Sequence, residues 1–420
     1  MNAFSQAATE QKTRLFVFVI KYKSGKKMSQ MYSKHKVIVA GAGGIGRAVA
    51  LILAERPELD TDIFIGDLNL EASKSVAEWV ISGTSTLSVV EGFQIPLKGE
   101  TEEMSYIFGS ADIILDCLPG SEAPRLATLA MKYKLHYVNL TEYVKETSQI
   151  LEMAKNADTG FILQTGLAPG YINVLAHSLY KQFVSRYGTD VDSVEMKVGA
   201  LTKTAKSPHY YGFTWSPIGV ATEYVKDSIV IQEGRKCRVP ALSQTTELIL
   251  DGVLYEDDFT SGGAADLPDY FEGKVHSLSY KTIRYPGHYA WVKKLVSELT
   301  AEDSLESELL SKMEKSVPHV EDDFIIYYAS ITGRDHQGVL HMIEKCNRIE
   351  AMKIGNYKLK AIQVSTAVPM LESARMLLSG KYKGTILQSQ IDVDDFLNGP
   401  FVQMVYGNRK SSERYKADLV

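Results

Sequence analysis

Three glycines at fixed spacing, Gly41-Ala-Gly43-Gly44-Ile45-Gly46, stand between a run of buried-strand character, Lys36-Val-Ile-Val-Ala40, and an Ala-, Leu- and Ile-rich stretch from Arg47 to Arg56. That order reads as strand, glycine turn, helix. Gly41 permits the tight turn, Gly43 lets the backbone approach a bulky anion, and Gly46 lets the helix pack close to the strand. Gly44 and Ile45 complete the turn, where the helix N-terminus offers free N–H groups and its positive dipole end. A turn that merely joins strand to helix needs one or two glycines and not this spacing. The next strand-like run, Asp62-Ile-Phe-Ile-Gly-Asp67, ends in an acid twenty-one positions past Gly46. Together these features describe a dinucleotide site, with the pyrophosphate on the helix N-terminus and the ribose hydroxyls at Asp67. A 2′-phosphate would meet the charge of Asp67, Asn69 is neutral, and no Arg adjoins Asp67. NAD is therefore expected ahead of NADP.

The alternation continues down the chain. Helix signals run over Leu70 to Val80, Glu102 to Phe108 and Ala123 to Tyr133, and strand signals over Leu87 to Ile95, Asp112 to Asp116, His136 to Leu140 and Gly160 to Gln164. The expected fold class is α/β, a Rossmann-type doubly wound parallel sheet. Its ligand lies along the carboxyl ends of the strands, which brings Cys117, Leu118 and Pro119, just past Asp116, near the ribose and nicotinamide. Cys117 reads equally well as core packing. After Gly166 the texture shifts to a helix from Tyr171 to about Ser185. Longer strand-like runs follow at Ser193 to Thr202, Ser228 to Val239, Val275 to Tyr285 and Phe324 to Ile331, around polar loops such as Asp257 to Asp266. This predicts a second, α+β domain with a mixed or antiparallel sheet, helices at Ala290 to Leu299 and Glu302 to Lys315, and a final helix over Ala367 to Ser379. The expected division is an N-terminal extension over 1–35, an NAD-binding domain over 36–166, a substrate and dimerisation domain over 167–365, and a C-terminal segment over 366–420 that packs back on the first domain.

Composition narrows the partners. A chain of 420 residues suggests two to three domains, and its 46 basic against 51 acidic residues give a net charge of −5. No basic field attracts a phosphate backbone, so nucleic acid and anionic membrane are not expected partners. Leu15 to Ile20 is six apolar residues where a membrane span needs about twenty, and no small-residue cleavage site follows. The basic stretch from Lys21 to Lys36 holds Met28 and Met31, so a start codon placed too far upstream is one reading of the N-terminus. An added strand from Leu15 to Lys21 is the other. Cys117, Cys237 and Cys346 show no C-x-x-C spacing, which fits a reducing cytoplasm and neither a disulfide framework nor a thiolate zinc site. No histidine pair at zinc spacing and no G-x-S-x-G appear, so neither a metal nor a serine nucleophile is expected.

Four phrases carry a resemblance: Gly166-Leu-Ala-Pro-Gly170 with Asn173; Trp215-Ser-Pro with Glu223-Tyr224; Lys281-Thr-Ile-Arg284-Tyr-Pro-Gly-His288; and Ala361-Ile-Gln followed by Ser379-Gly-Lys381. In this order, over most of the chain from about residue 36, they resemble the saccharopine dehydrogenase family in its broad sense, with saccharopine reductase, lysine 6-dehydrogenase and carboxynorspermidine dehydrogenase. The resemblance implies a chain end that returns to the nucleotide domain and a mixed-sheet domain that closes the substrate cleft and often pairs subunits, hence a homodimer. It implies hydride transfer between a nicotinamide and a carbon bonded to nitrogen, through an imine, on an amino-acid substrate. Saccharopine reductases usually favour NADP, so Asp67 departs from that subgroup and leans toward lysine 6-dehydrogenase-like or uncharacterised members. A carboxynorspermidine or carboxyspermidine dehydrogenase is the alternative enzyme. An NAD-binding scaffold or sensor without turnover is the rival of another class.

Imine chemistry needs a proton acceptor, a carboxylate receptor and a dry surface beside the nicotinamide. Glu142, just past the fifth strand, is a candidate base or ammonium binder, and equally an acid in the first turn of the next helix. Tyr143 beside it is a candidate pocket wall. His288 is a candidate proton shuttle or a helix-terminal hydrogen-bonding residue, and Cys117 completes the candidate catalytic set. Arg284 suits a two-point grip on a carboxylate, the alternative being a salt bridge inside the second domain. Asn173 reads as a substrate or cofactor amide ligand or as a first-turn cap. Trp215, with Tyr210 and Tyr211, reads as an apolar wall of the cleft or as packing at a domain junction.

Overall fold

The computed structural model describes residues 34–86, 88–141, 144–300 and 304–407; the readings on Leu15 to Lys21, on Glu142 and on Tyr143 lie outside the described residues. From His35 the order is β1 (His35–Ala40), α1 (Gly44–Glu55), β2 (Thr61–Asp67), α2 (Leu70–Gly83), β3 (Val90–Gln94), α3 (Glu102–Ser110), β4 (Ile113–Asp116), α4 (Ala123–Tyr133), β5 (His136–Asn139), α5 (Val144–Ala154) and β6 (Gly160–Ile162). The strands are short and apolar because both faces are covered. Val37 and Val39 join Ile63 and Ile65 in one core, while Ile38 and Ala40 join Phe93 and Ile114 in the other. Strand β1 pairs in parallel with β2 on one side and with β4 on the other. That reversal of direction across the sheet opens a crevice at the carboxyl ends of the strands.

The chain then runs through α6 (Tyr171–Tyr187), β7 (Asp190–Thr202), α7 (Pro217–Val225), β8 (Ser228–Gln232), β9 (Arg235–Val239), β10 (Thr246–Leu250), β11 (Val253–Phe259), α8 (Leu267–Phe271), β12 (Ser277–Arg284), α9 (His288–Ser297), α10 (Leu305–Glu314), β13 (Asp323–Arg334) and β14 (Leu340–Glu350). These strands form a mixed sheet of order β10-β11-β12-β7-β13-β14, with the β8–β9 hairpin attached to β12. Only the β12–β7 pair is parallel among the pairs along that order. Alternate residues of β13, Ile325, Tyr327, Ala329 and Ile331, pack in the core shared with α6, as the two-residue period of a strand requires. Helices α7, α9 and α10 enclose a separate core of Tyr211, Phe213, Tyr224, Tyr289, Leu309 and Met313.

After a small hairpin, β15 (Met352–Ile354) with β16 (Tyr357–Leu359), α11 (Ala361–Leu378) carries the chain back to the first sheet. There β17 (Gly384–Ile386) adds in parallel to β6, giving the order β17-β6-β5-β4-β1-β2-β3. Short helices α12 (Val393–Leu397) and α13 (Pro400–Tyr406) follow.

Several local expectations are corrected. The run from Ser228 to Val239 is a hairpin, not one strand, because Glu233 and Gly234 take φ of 50° and 78°, the backbone a two-residue reversal demands. Asp257 and Asp258 are not loop residues but the fully buried end of β11. They are tolerated there because Lys197 and Lys281 lie 2.8 and 3.1 Å from Asp257 and Lys293 lies 2.8 Å from Asp258. The last long helix begins at Ala361 rather than Ala367. Its start is set by the buried carboxylate of Asp323, which accepts the N–H groups of Ala361 at 2.7 Å and Ile362 at 2.8 Å. Replacing Asp323 by Ala strands two buried donors, so the expected cost is about 2–4 kcal/mol of unfolding free energy. Urea denaturation checks this, and a loss under about 0.5 kcal/mol, the range of neutral surface changes, would contradict it.

Candidate active site

A cavity of about 730 Å³ runs between the two sheets, inside the range of roughly 300–1,000 Å³ common for ligand sites. Its first end is the glycine turn. Gly41 has φ of +112°, and a Cβ there would lie 2.9 Å from the Cys117 carbonyl oxygen. A Cβ on Gly46 would lie 1.8 Å from the Gly41 carbonyl oxygen, whereas one on Gly43 would meet nothing within 4 Å. So Gly41 and Gly46 are demanded by packing, and Gly43 keeps the cavity side of the turn open to an approaching anion. Gly44 and Ile45 line the cavity beside it. The Asp67 carboxylate accepts the Ala42 N–H at 2.8 Å and the Asn69 N–H at 2.9 Å, which fixes it at the rim. Gln363, in the first turn of α11, donates to the Gly44 carbonyl at 2.7 Å and accepts the Lys360 N–H at 2.9 Å, tying the helix to the turn.

The middle of the cavity is formed by Cys117, Leu118 and Pro119 past β4, by Leu140 past β5 and by the Gly166 to Pro169 loop. Beneath them Asp116 is buried, accepting the Tyr137 hydroxyl at 2.6 Å and the Leu118 N–H at 3.0 Å. Burial pushes its carboxyl up to about 6, against the pull of those two bonds. Burial, with Asp116 next to it, also pushes the Cys117 thiol far above its ordinary value, and the sulfur lies 3.7 Å from that of Met370 on α11. Cys117 is itself only partly buried and lines the cavity, its sulfur packed against Met370.

The far end is built by the second sheet and α7. Alternation along β12 turns Tyr280, Thr282 and Arg284 to the cavity, and Val198 and Ala200 of β7 stand beside them. Ser216 accepts the Gly219 N–H at 3.3 Å to start α7, with Pro217 in its first turn. Trp215, Gly219 and Glu223 then face the same space. A Cβ on Gly219 would lie 2.5 Å from the Trp215 ring, so the glycine makes room for the indole. Arg284 is 1% exposed and Glu223 7%. The Arg284 Nε donates to the Tyr224 hydroxyl at 2.8 Å, Nη1 donates to the Ile283 carbonyl at 3.0 Å, and the guanidinium lies 4.8 Å from the Tyr211 ring centre. Burial opposes the charge of Arg284, while Tyr224, Tyr211 and Tyr289, and after them Glu223, favour it.

Of the residues singled out in the sequence, the structure brings the glycine turn, Asp67, Cys117, Leu118, Pro119, Trp215 and Arg284 to one cavity. His288 and Asn173 do not line it. His288 is fully buried behind Arg284, with Nδ1 2.6 Å from the His209 carbonyl and Nε2 2.9 Å from the Tyr224 hydroxyl. Burial, then the charge of Arg284, lowers its pKa to about 3, so the ring stays neutral near neutral pH, and its two nitrogens are turned to His209 and Tyr224 rather than to the cavity. Asn173 accepts the Gly170 N–H at 2.7 Å and donates to the Gly263 carbonyl at 3.0 Å, closing the first turn of α6. Tyr211 backs Arg284 rather than forming the wall. Glu223, Gln363 and Thr282 are additional cavity residues. Glu223 carried a signal in the sequence, being the lone acid in an otherwise uncharged helix, Pro217-Ile-Gly-Val-Ala-Thr-Glu-Tyr-Val225. Among the described residues no group of His, Cys, Asp and Glu is placed to hold a metal, and no helix is long and apolar enough to cross a membrane.

The raised pKa of Asp116 has a stability consequence. The folded chain keeps this proton to higher pH than the unfolded one, so the stability the group contributes is full below about pH 4 and is lost as pH rises through about 6. The span corresponds to roughly 2–3 kcal/mol. The expected outcome is that Asp116→Asn gains stability relative to the parent as pH is raised from 4 to 7 in urea melts. A difference that stays flat over that interval would contradict the raised value.

Comparison with known proteins agrees with this architecture. Residues 37–163 match the family model for the saccharopine dehydrogenase NADP binding domain, and residues 166–406 match the saccharopine dehydrogenase C-terminal domain. The chain is 25% identical to an alpha-aminoadipic semialdehyde synthase of Arabidopsis thaliana over 214 residues, 46% of this chain and 19% of that protein. It is 22% identical to the mitochondrial alpha-aminoadipic semialdehyde synthase of Bos taurus over 270 residues, 61% of this chain and 27% of that protein. The matched segments thus span about a fifth to a quarter of these curated relatives. In fold it resembles saccharopine dehydrogenase (L-Glu forming) of Saccharomyces cerevisiae, with a TM-score of 0.67 and 14% identity over 86% of this chain and 96% of that one. It also resembles the homospermidine synthase of Legionella pneumophila, solved in complex with NAD, with a TM-score of 0.63 and 13% identity over 92% and 94%. With both of its domain models matched, from Val37 to Tyr406, the chain belongs to the saccharopine dehydrogenase family.

Proposed function

We propose that the protein is an NAD-linked oxidoreductase that transfers a hydride to or from the carbon of a C–N bond in an amino acid or its imine. The observation that carries this reading is one cavity that has a glycine turn of dinucleotide spacing at one end and both Arg284 and Glu223 at the other. When bound, a nicotinamide supplies or accepts the hydride; the chain's own residues supply the rest. Gly43 and the first turn of α1 receive the pyrophosphate. Asp67 receives the ribose hydroxyls with the lone pairs its two backbone bonds leave over. A 2′-phosphate in that place would face a carboxylate, which favours NAD over the NADP named in the family model.

At the other end Arg284 receives the substrate carboxylate through the N–H groups not already committed. Glu223 lines the same cavity and is among the groups that favour that charge. It is the group in position to hold the substrate ammonium or to take the proton that leaves nitrogen as the imine forms. Leu118, Leu140, Val198 and Trp215 exclude water around the reacting carbon. A polyamine with several ammonium groups would call for several carboxylates. Among the described residues, the acids lining the cavity are Asp67 at the nucleotide end and Glu223. This favours an amino-acid substrate of the saccharopine or lysine type over a carboxylated polyamine. Three free cysteines fit a reducing compartment.

The test is absorbance at the NADH band with NAD or NADP against saccharopine, L-lysine and carboxynorspermidine. NADH forming with NAD and one amino acid is the expected result, and Arg284→Ala is expected to raise its KM about tenfold or more while leaving the KM for NAD unchanged. Turnover confined to NADP, or an R284A variant with an unaltered KM, would overturn the reading. Asp67→Ala is expected to weaken NAD and to narrow the NAD over NADP preference in thermal shift; an unchanged preference would remove Asp67 from the account of cofactor choice.

A further inference from the structure

We propose that Tyr224 and His288 are positioning residues that form a one-directional hydrogen-bond relay locking the Arg284 guanidinium in place before a ligand arrives. The proposal rests on the reading of Arg284 as the carboxylate receptor and adds how that receptor is held. The direction of the relay follows from which atoms can donate. The His209 carbonyl only accepts, so the proton of a neutral His288 sits on Nδ1, 2.6 Å from it. Nε2 is left with a lone pair, and the Tyr224 hydroxyl donates to it across 2.9 Å. The Tyr224 oxygen then presents its lone pairs to the Arg284 Nε, which donates across 2.8 Å. Reversing any link leaves two donors or two acceptors facing each other, and Tyr224, Arg284 and His288 are all at most 1% exposed, where no water repairs the mismatch.

The backbone is arranged to close this relay. Arg284 ends β12 and His288 begins α9, and the carboxylate of Glu256 accepts the N–H of Gly287 at 3.1 Å and of Tyr289 at 2.6 Å across the intervening turn. That turn folds the imidazole back behind the guanidinium. Tyr211 fills the remaining side, 4.8 Å from the guanidinium and 5.1 Å from the imidazole. With Nε held by Tyr224 and one N–H of Nη1 held by Ile283, three of the five guanidinium donors remain, on the two terminal nitrogens. A two-point grip on a carboxylate needs two of these in one plane. The relay fixes that plane, so the ligand does not have to order a long side chain on binding.

The experiment uses the full chain with bound NAD, titrated calorimetrically with saccharopine and with L-glutamate as carboxylate probes. Tyr224→Phe keeps the ring and removes the hydroxyl. It is expected to weaken probe binding about tenfold or more while the Kd for NAD is unchanged. His288→Gln sets a side-chain carbonyl near the place of Nε2 and is expected to recover most of the affinity that His288→Phe loses. Selective ¹⁵N-histidine spectra are expected to show His288, assigned by its loss in H288Q, protonated on Nδ1. The Nε2 tautomer, Y224F binding as tightly as the parent, or H288Q and H288F weakened alike would each overturn the relay. If the parent binds neither probe, or if R284A binds them as the parent does, the carboxylate reading of Arg284 falls and the relay falls with it. If H288F fails to fold, Y224F and the tautomer decide the matter.

Discussion

The carboxylate of Asp323 anchors the helix that ties the two sheets together. It stands at the start of β13 in the mixed sheet and holds the first turn of α11 by two N–H groups. One residue further along, Gln363 reaches from that turn to the carbonyl of Gly44 in the glycine turn. Further down the same helix, Met370 packs on Cys117 past β4. A single helix anchored by a buried acid of one sheet thus touches the two segments of the other sheet that shape the cavity. The distance between the dinucleotide turn and Arg284 follows from that anchorage. The return of the chain as β17 beside β6 fixes the far end of the connection.

Charge at the ligand end is economical. One guanidinium is nearly removed from solvent, which is tolerable only when part of its donors are bonded and the groups around it favour the charge. Tyr224, Ile283 and Glu223 supply those conditions. His288 contributes by staying neutral: a protonated imidazole at the same place would add a second buried cation and turn an acceptor into a donor. The fold therefore uses a titratable residue as a fixed dipole, and its lowered pKa belongs to that use.

Much of this was legible before the structure. The glycine spacing and Asp67 mark local mechanical demands, a tight turn, a close helix packing and a carboxylate held beside the turn, which leave local traces in sequence. Strands of the parallel sheet were legible because burial on both faces makes them continuous apolar runs. The mixed sheet was harder to read. Asp257 and Asp258 look like loop residues because the lysines that neutralise them come from β7, β12 and α9, far away in the chain. Strand β14 lies at an edge with alternating exposure and mixed polarity, so it lacks the apolar run of a central strand. The early start of α11 depends on Asp323, thirty-eight residues upstream. The roles offered to His288 and Asn173 failed to reach the cavity for a related reason: residue type shows what chemistry a side chain can do, while its direction is set by partners such as His209 and Gly263 that no spacing rule connects to it.

The most direct measurement is a crystal structure of the complex with NAD and an amino acid that carries more than one carboxylate, such as L-glutamate or saccharopine. Pyrophosphate oxygens are expected against the Gly43 and Gly44 backbone, a ribose on Asp67, and a substrate carboxylate on the terminal nitrogens of Arg284 with the substrate nitrogen toward Glu223. A dinucleotide bound away from the glycine turn, or a carboxylate that leaves Arg284 untouched, would contradict this arrangement.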